Sequence, residues 1–284
     1  MIVGHKKQID FLKRSLELDK LSHAYIFSGQ EKLGKKTIAL KWAGLINNHL
    51  FQEQHPDFIL IQAQDSTILV SQIRELIWRL SLKPSLLQYK IAIIDNAHLM
   101  GIDAQHALLK TLEEPKGKSV LILITDHPEV LFATIRSRCE TMKFYPVSKN
   151  EIDEYLKKQD ISQDKAREIS VLSGGKPGEA IDFALNYSEL EERKKIAEEL
   201  EKISSSLLYE RFQYAKELSQ KENLKEILEI WLGFLREKLI RGIEESEDSQ
   251  KLREKLNLLQ QLYVLVSTSN VNARLALETL FINI

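Results

Sequence analysis

Ala24-Tyr25-Ile26-Phe27-Ser28-Gly29-Gln30-Glu31-Lys32-Leu33-Gly34-Lys35-Lys36-Thr37 is the stretch on which the fold turns. It opens on an apolar run, 24–27, too short for a core helix, and runs into Ile38, Leu40, Trp42 and Leu45 at helical spacing. A strand, a loop bounded by glycines, a lysine and then a helix is the context in which a phosphate loop works. Backbone N–H groups and the helix N-terminus together form a cradle for an anion. Gly29, Gly34 and Lys35 fit that role. The position after the lysine should carry a hydroxyl for Mg²⁺ but is Lys36, and Thr37 lies about 100° further round the helix. A plain strand-to-helix turn with two glycines and a solvated lysine pair would give the same letters.

The flanking sequence favours the phosphate loop. Further short apolar runs occupy 58–61, 91–94 and 120–124, with a weaker one at 142–145. Between them Ile73, Leu76, Ile77 and Leu80 recur at helical spacing, as do Ala104, Leu108 and Leu112 before Pro115. Strands alternating with helices predict a five-stranded parallel sheet with flanking helices over residues 1–147. The third run ends in Asp95, which that topology sets beside the phosphate loop as the Mg²⁺-directing carboxylate. Asn96 follows where an active ATPase of this class has a glutamate. A carboxamide can orient water but cannot accept its proton, so hydrolysis is not expected, and an ordinary loop amide would give the same outcome.

Residues 148–187 read as a small helical unit: a helix near Ser148, a second from Gln163, a break at Gly174-Gly175-Lys176-Pro177-Gly178, and a third from Glu179. From 188 to 284 there are only long amphipathic patterns, such as Leu224, Ile227, Leu228, Trp231, Leu232 and Leu235, which predict a bundle of about five helices. The acidic stretch 244–248 reads as a solvated loop within it.

Composition narrows the function classes. With 43% hydrophobic and 29% charged residues in 284, the chain falls in the soluble globular range. Forty basic against 41 acidic residues exclude a protein that coats nucleic acid with its whole surface. Cys139 is the single cysteine, so there is no internal disulfide and no cysteine-based zinc site. No apolar run approaches the roughly 20 residues of a spanning helix, and the expected location is cytoplasmic, with no membrane partner.

Further motifs carry a resemblance. Asp103-Ala104-Gln105-His106-Ala107-Leu108-Leu109-Lys110-Thr111-Leu112-Glu113-Glu114-Pro115, Ile124-Thr125-Asp126 and Thr134-Ile135-Arg136-Ser137-Arg138-Cys139 resemble the AAA+ clamp-loader subunits of bacterial DNA polymerase III. Ile2-Val3-Gly4-His5, Ser22-His23-Ala24-Tyr25-Ile26-Phe27-Ser28-Gly29 and His55-Pro56-Asp57 agree, so the likeness covers the first 185 residues. It implies an AAA+ P-loop domain over 1–147, a helical lid over 148–187 and a C-terminal collar over 188–284 that joins five subunits into a ring. It also implies that Arg138 is offered to ATP bound in the adjacent subunit. A guanidinium is planar and permanently charged, suited to a transferring phosphoryl group. A surface ion pair at a helix end is the other reading of Arg138, and Arg136 points elsewhere on a helix.

The departures at Lys32, Lys36 and Asn96, with Gly178 where the lid's nucleotide-sensing arginine would stand, resemble the delta-prime type, which does not hydrolyse ATP. The implied partners are gamma/tau-type ATPases and a delta subunit in a hetero-pentamer, and, through the complex, the sliding clamp and primed-template DNA. No cofactor is required. The degenerate site, Gly29, Gly34, Lys35, Thr37 and Asp95, leaves room for a vestigial ATP or ADP. Thr125 stands where active members monitor the γ-phosphate. The family's four-cysteine zinc module is missing between Asn47 and His55, and His49 and His55 cannot replace it, so no zinc or other metal is expected. An ATP-hydrolysing subunit that works with Thr37 and Asp95 is the alternative. A P-loop kinase would need an acceptor base and a lid arginine, and neither is evident.

Overall fold

The computed structural model describes residues 2–48, 55–64, 66–221, 223–242, 249–268 and 271–283. His49 and the acidic stretch 244–248 lie outside the described residues. Two compact units emerge: Met1–Glu151 with Lys176–Gly178, and Ile152–Gly175 with Glu179–Ile284. Of the three parts expected from the sequence, 1–147 falls in the first unit and 188–284 in the second, while 148–187 is divided between them.

The first unit is built on strands β1 (Ala24–Ser28), β2 (Phe58–Ile61), β3 (Lys90–Ile94), β4 (Ser119–Thr125) and β5 (Glu140–Lys143). They form one sheet in the order β2-β3-β4-β1-β5, every neighbouring pair parallel. Alternating residues point to opposite faces, and both faces are covered, which is why the central strands are apolar throughout. Tyr25, Phe27, Ile91, Ile93, Ile122 and Ile124 pack with Leu12 of α1 (Lys6–Glu17) and Ile38, Ala39 and Trp42 of α2 (Lys35–Asn47). Ala24, Ile26, Ala92, Ile94, Leu121 and Leu123 pack with Ile73, Leu76 and Leu80 of α3 (Val70–Ser81) and Ala104, Leu108 and Leu112 of α4 (Ile102–Glu113). Trp42 meets Tyr25 edge-on, with ring centroids 4.6 Å apart. The fifth strand begins two residues earlier than the run 142–145 suggests. At the sheet edge only Met142 of this strand is buried, so Glu140, Thr141 and Lys143 hide it from a hydropathy reading.

Between β4 and β5 the chain makes the four-residue helix α5 (Ala133–Arg136). The second unit contains most of α6 (Lys149–Lys157) and α8 (Pro177–Leu185), all of α7 (Gln163–Leu172), and then α9 (Tyr187–Ser204), α10 (Leu208–Ser219), α11 (Leu224–Gly242), α12 (Ser249–Thr268) and α13 (Ala273–Asn283). Helix α8 begins at Pro177, two residues before the expected Glu179, because proline at the first helical position gives up no hydrogen bond there. All six residues of the pattern read on α11 are buried, and Trp231 donates its indole N–H to Ile196 O at 2.7 Å. Arg211 of α10 ties the bundle by donating to Ser204 O, Ser206 O and Phe281 O at 2.6, 3.1 and 2.9 Å.

Asp57, immediately before β2, shows what the His55-Pro56-Asp57 motif is for. Its carboxylate accepts the backbone N–H groups of Ser85, Leu86 and Leu87 at 2.8, 2.8 and 3.0 Å, and so anchors the loop that leads into β3. Burial pushes its pKa up, but those three N–H groups and nearby Lys90 outweigh it and hold the carboxyl below the ordinary 3.8. A depressed folded-state pKa stabilises above the unfolded value and loses that contribution as pH falls through the folded one. Asp57→Asn is therefore expected to cost about 1–3 kcal/mol at pH 7 by thermal or urea unfolding, and progressively less at pH values below 3.8.

Candidate nucleotide-binding loop and arginine

The phosphate loop follows β1 at its C-terminal end. Gly29 has φ 149° and a backbone so close to Phe144 that a Cβ would run into the Phe144 carbonyl, so glycine is required on both counts. Gly34 precedes the first turn of α2. Lys35 is 7% exposed and turns its ammonium onto the loop itself, donating to the carbonyls of Gly29 and Gln30. Burial draws its pKa below that of an ordinary lysine, with Asp126, Glu31 and Asp95 pulling the other way. His5 Nε2 donates to Leu33 O at 2.9 Å, tying the loop to the N-terminal segment. Burial lowers the His5 pKa, partly offset by that bond and by Glu151.

Lys36 Nζ lies 2.9 Å from Asp95 Oδ2. The residue that displaces the metal-binding hydroxyl thus sets its own positive charge on the carboxylate that would direct the metal. Thr37 is exposed on the next face of α2, and Asn96 is exposed just beyond β3 with φ 52°, a left-handed conformation that asparagine tolerates. The loop is also engaged from the side: Gly178 N–H donates to Lys32 O at 2.8 Å. A Cβ at Gly178 would come within 2.9 Å of that oxygen, so a side chain at the expected sensing position would disturb this contact. Thr125 is buried; its hydroxyl accepts the His127 N–H at 3.0 Å and lies 3.3 Å from His98 Nδ1, which is itself 2.9 Å from Asp126 Oδ1. Asp126 stands in the quoted Ile124-Thr125-Asp126 motif, whereas sequence reasoning missed His98, whose only signal is its position three residues after Asp95.

Residues of the expected set thus meet at one end of the sheet, with a lysine ammonium beside Asp95 in the place of a divalent cation. A Mg²⁺–nucleotide does not fit these partners as they stand. Among the described residues no cluster of three or more His, Cys, Asp or Glu could hold a metal ion.

Arg138 is elsewhere. It follows α5 and precedes β5, whose Glu140 is in register with Tyr25, whereas the phosphate loop follows Ser28, in register with Lys143. Because the strands are parallel, the arginine sits at the opposite end of the sheet from the chain's own phosphate loop, about 15 Å away at roughly 3.3 Å per residue. Its side chain is 35% exposed, with Nη2 2.8 Å from Glu113 Oε1 and Nη1 donating to Thr134 O at 3.0 Å. Buried Gln105, in the first turn of α4, accepts Phe132 N–H at 2.9 Å and donates to Val130 O at 3.3 Å, which pins the segment leading into α5. Arg136 is exposed.

A family model described as DNA polymerase III, delta subunit, matches residues 4–148. The chain belongs to that family. Its relatives include the delta-prime subunit of DNA polymerase III from Bacillus subtilis, 32% identical over 200 residues, or 65% of this chain and 60% of that one. The delta-prime subunit from Pseudomonas aeruginosa is 32% identical over 136 residues, 42% of each chain, and the gamma subunit from Buchnera aphidicola 33% identical over 172 residues, 55% of this chain and 47% of the other. The chain therefore spans 60% or less of the length of these relatives. Its fold is that of a DNA polymerase III gamma subunit-related protein from Thermotoga maritima, TM-score 0.52 at 19% identity over 97% of both chains. A RuvB variant from the same organism matches at TM-score 0.54 and 19% identity, over 66% of this chain and 63% of its own. The family setting is DNA polymerase III, and the fold is the AAA+ one that these structures share.

Two outcomes test this geometry. Lys36→Thr frees Asp95 and supplies the hydroxyl, so the affinity for MgADP by calorimetry is expected to rise at least about tenfold; no change would clear the ion pair of keeping the cation out. Burial pushes the Cys139 thiol up to about 12, leaving about one thiolate in ten thousand at pH 8. A thiol reagent at that pH should spare Cys139 in the native chain and modify it promptly in denaturant.

Proposed function

We propose that the chain is a delta-prime-type clamp-loader subunit that does not hydrolyse ATP itself and lends Arg138 to ATP held by a neighbouring ATPase subunit. The observation that carries this reading is the position of the guanidinium. It lies at the far end of a parallel sheet from its own phosphate loop, where it cannot serve a nucleotide bound there and is half-open to a partner. An arginine delivered across a subunit boundary stabilises charge on the transferring phosphoryl group.

The loop's internal bonds support the other half of the reading. Lys35 is engaged with backbone carbonyls, Lys36 with Asp95, and Asn96 has no basic oxygen with which to take a proton from water. The helical second unit supplies the oligomerising surface, with gamma/tau-type ATPases and a delta subunit as ring partners. The assembled ring opens the sliding clamp and sets it on primed DNA.

The test is ATP turnover by a clamp loader reconstituted with this chain or its Arg138→Ala variant, with assembly checked by gel filtration and the lone chain as control. The expected result is normal assembly, an inactive lone chain, and hydrolysis slowed by about a thousandfold or more at the site that faces the variant. Turnover by the lone chain, abolished by Lys35→Ala, would instead favour an ATP-hydrolysing subunit.

A further inference from the structure

Arg138 is not a free cation waiting for a phosphate. One terminal nitrogen is 2.8 Å from Glu113 Oε1, and the other donates to Thr134 O at 3.0 Å and contacts Ser137 Oγ at 3.4 Å. Glu113 is the last residue of α4 and is itself 50% exposed, so its charge faces the same surface as the arginine. A nucleotide phosphate brought to that surface meets a guanidinium with both terminal nitrogens in use and a carboxylate that repels it.

We propose that Glu113 restrains Arg138 until a phosphate on the neighbouring subunit competes for it. The inference rests on the reading of Arg138 given above. The ion pair is weak enough to yield, since an exposed pair of this kind changes an equilibrium by no more than about fivefold. A multiply charged phosphate offers more acceptor oxygens than one carboxylate and forms paired, charge-assisted bonds with the released fork. An empty neighbouring site offers none, and the arginine stays on Glu113. Helix α4 gives the restraint a fixed base: its 12 residues span about 18 Å, from the end of the sheet that bears Asp95 and Asn96 to the end that bears Arg138. In its first turn Gln105 holds the segment before α5. Glu113 is thus a positioning residue, acting through the arginine and touching no nucleotide.

The experiment uses the reconstituted complex carrying Glu113→Gln, Arg138→Ala, or both, with turnover measured against ATP concentration and nucleotide affinity followed with N-methylanthraniloyl-ATP. Glu113→Gln keeps the size of the side chain and removes its charge. It is expected to lower half-saturating ATP by about two- to fivefold with turnover at saturation unchanged. It should tighten binding of the fluorescent nucleotide by the same factor, and have no effect on that binding in the Arg138→Ala background. Glu113→Asp should keep the native value. A drop in saturating turnover would mean that Glu113 orients the arginine for catalysis, and an equal effect with and without Arg138 would mean that it acts on something else; either overturns the restraint. If Arg138→Ala abolishes turnover while Glu113→Gln changes nothing, only this inference fails. If Arg138→Ala is without effect, the reading of the arginine fails with it.

Discussion

Parallel pairing gives every strand of the first unit the same direction, so segments that follow strands collect at one end of the sheet and segments that precede them collect at the other. The phosphate loop follows β1 and Asp95 follows β3, and both reach the same end together with Thr125. Arg138 precedes β5 and Glu113 closes the helix that leads back towards β4, so both reach the opposite end. The separation of the candidate phosphate loop from Arg138 is a consequence of strand polarity, and two apolar layers of buried residues hold it rigid.

On that frame the candidate phosphate loop is bonded within itself. A divalent cation beside Asp95 would be the largest local charge in a working site. Here a lysine ammonium supplies a single charge at 2.9 Å, without the open coordination positions that a phosphate oxygen or a water would use. Lys35 is likewise occupied with backbone oxygens, and Gly178 closes on Lys32 without room for a side chain. Lys36 and Gly178 each make an internal contact there, whereas the Asn96 side chain is exposed, and the charge of Lys36 is kept paired.

The arginine end keeps a charge that is paired but accessible. Its partner, Glu113, lies on the surface and contributes little to stability, in contrast to the buried Asp57, whose carboxylate is saturated by three backbone donors. The same type of side chain therefore does two jobs: in the interior it fixes a loop, and at the surface it pairs with an accessible cation.

The sequence by itself determined the strand and helix order of the first unit and the buried face of α11, because periodicity is a local property, and it offered residues 29–37 with Lys36 and Asn96 as a candidate site. It left the fifth strand misplaced by two residues, since an edge strand with one buried side chain carries almost no hydropathy signal. It offered Arg138 either as a group for a partner or as a surface ion pair, and the fold shows that pair with Glu113, 25 positions earlier in the chain. The partners of Lys36, Arg138 and Asp57 were decided only by the tertiary structure, because each contact joins segments that approach one another through strand order and helix packing rather than through spacing along the chain.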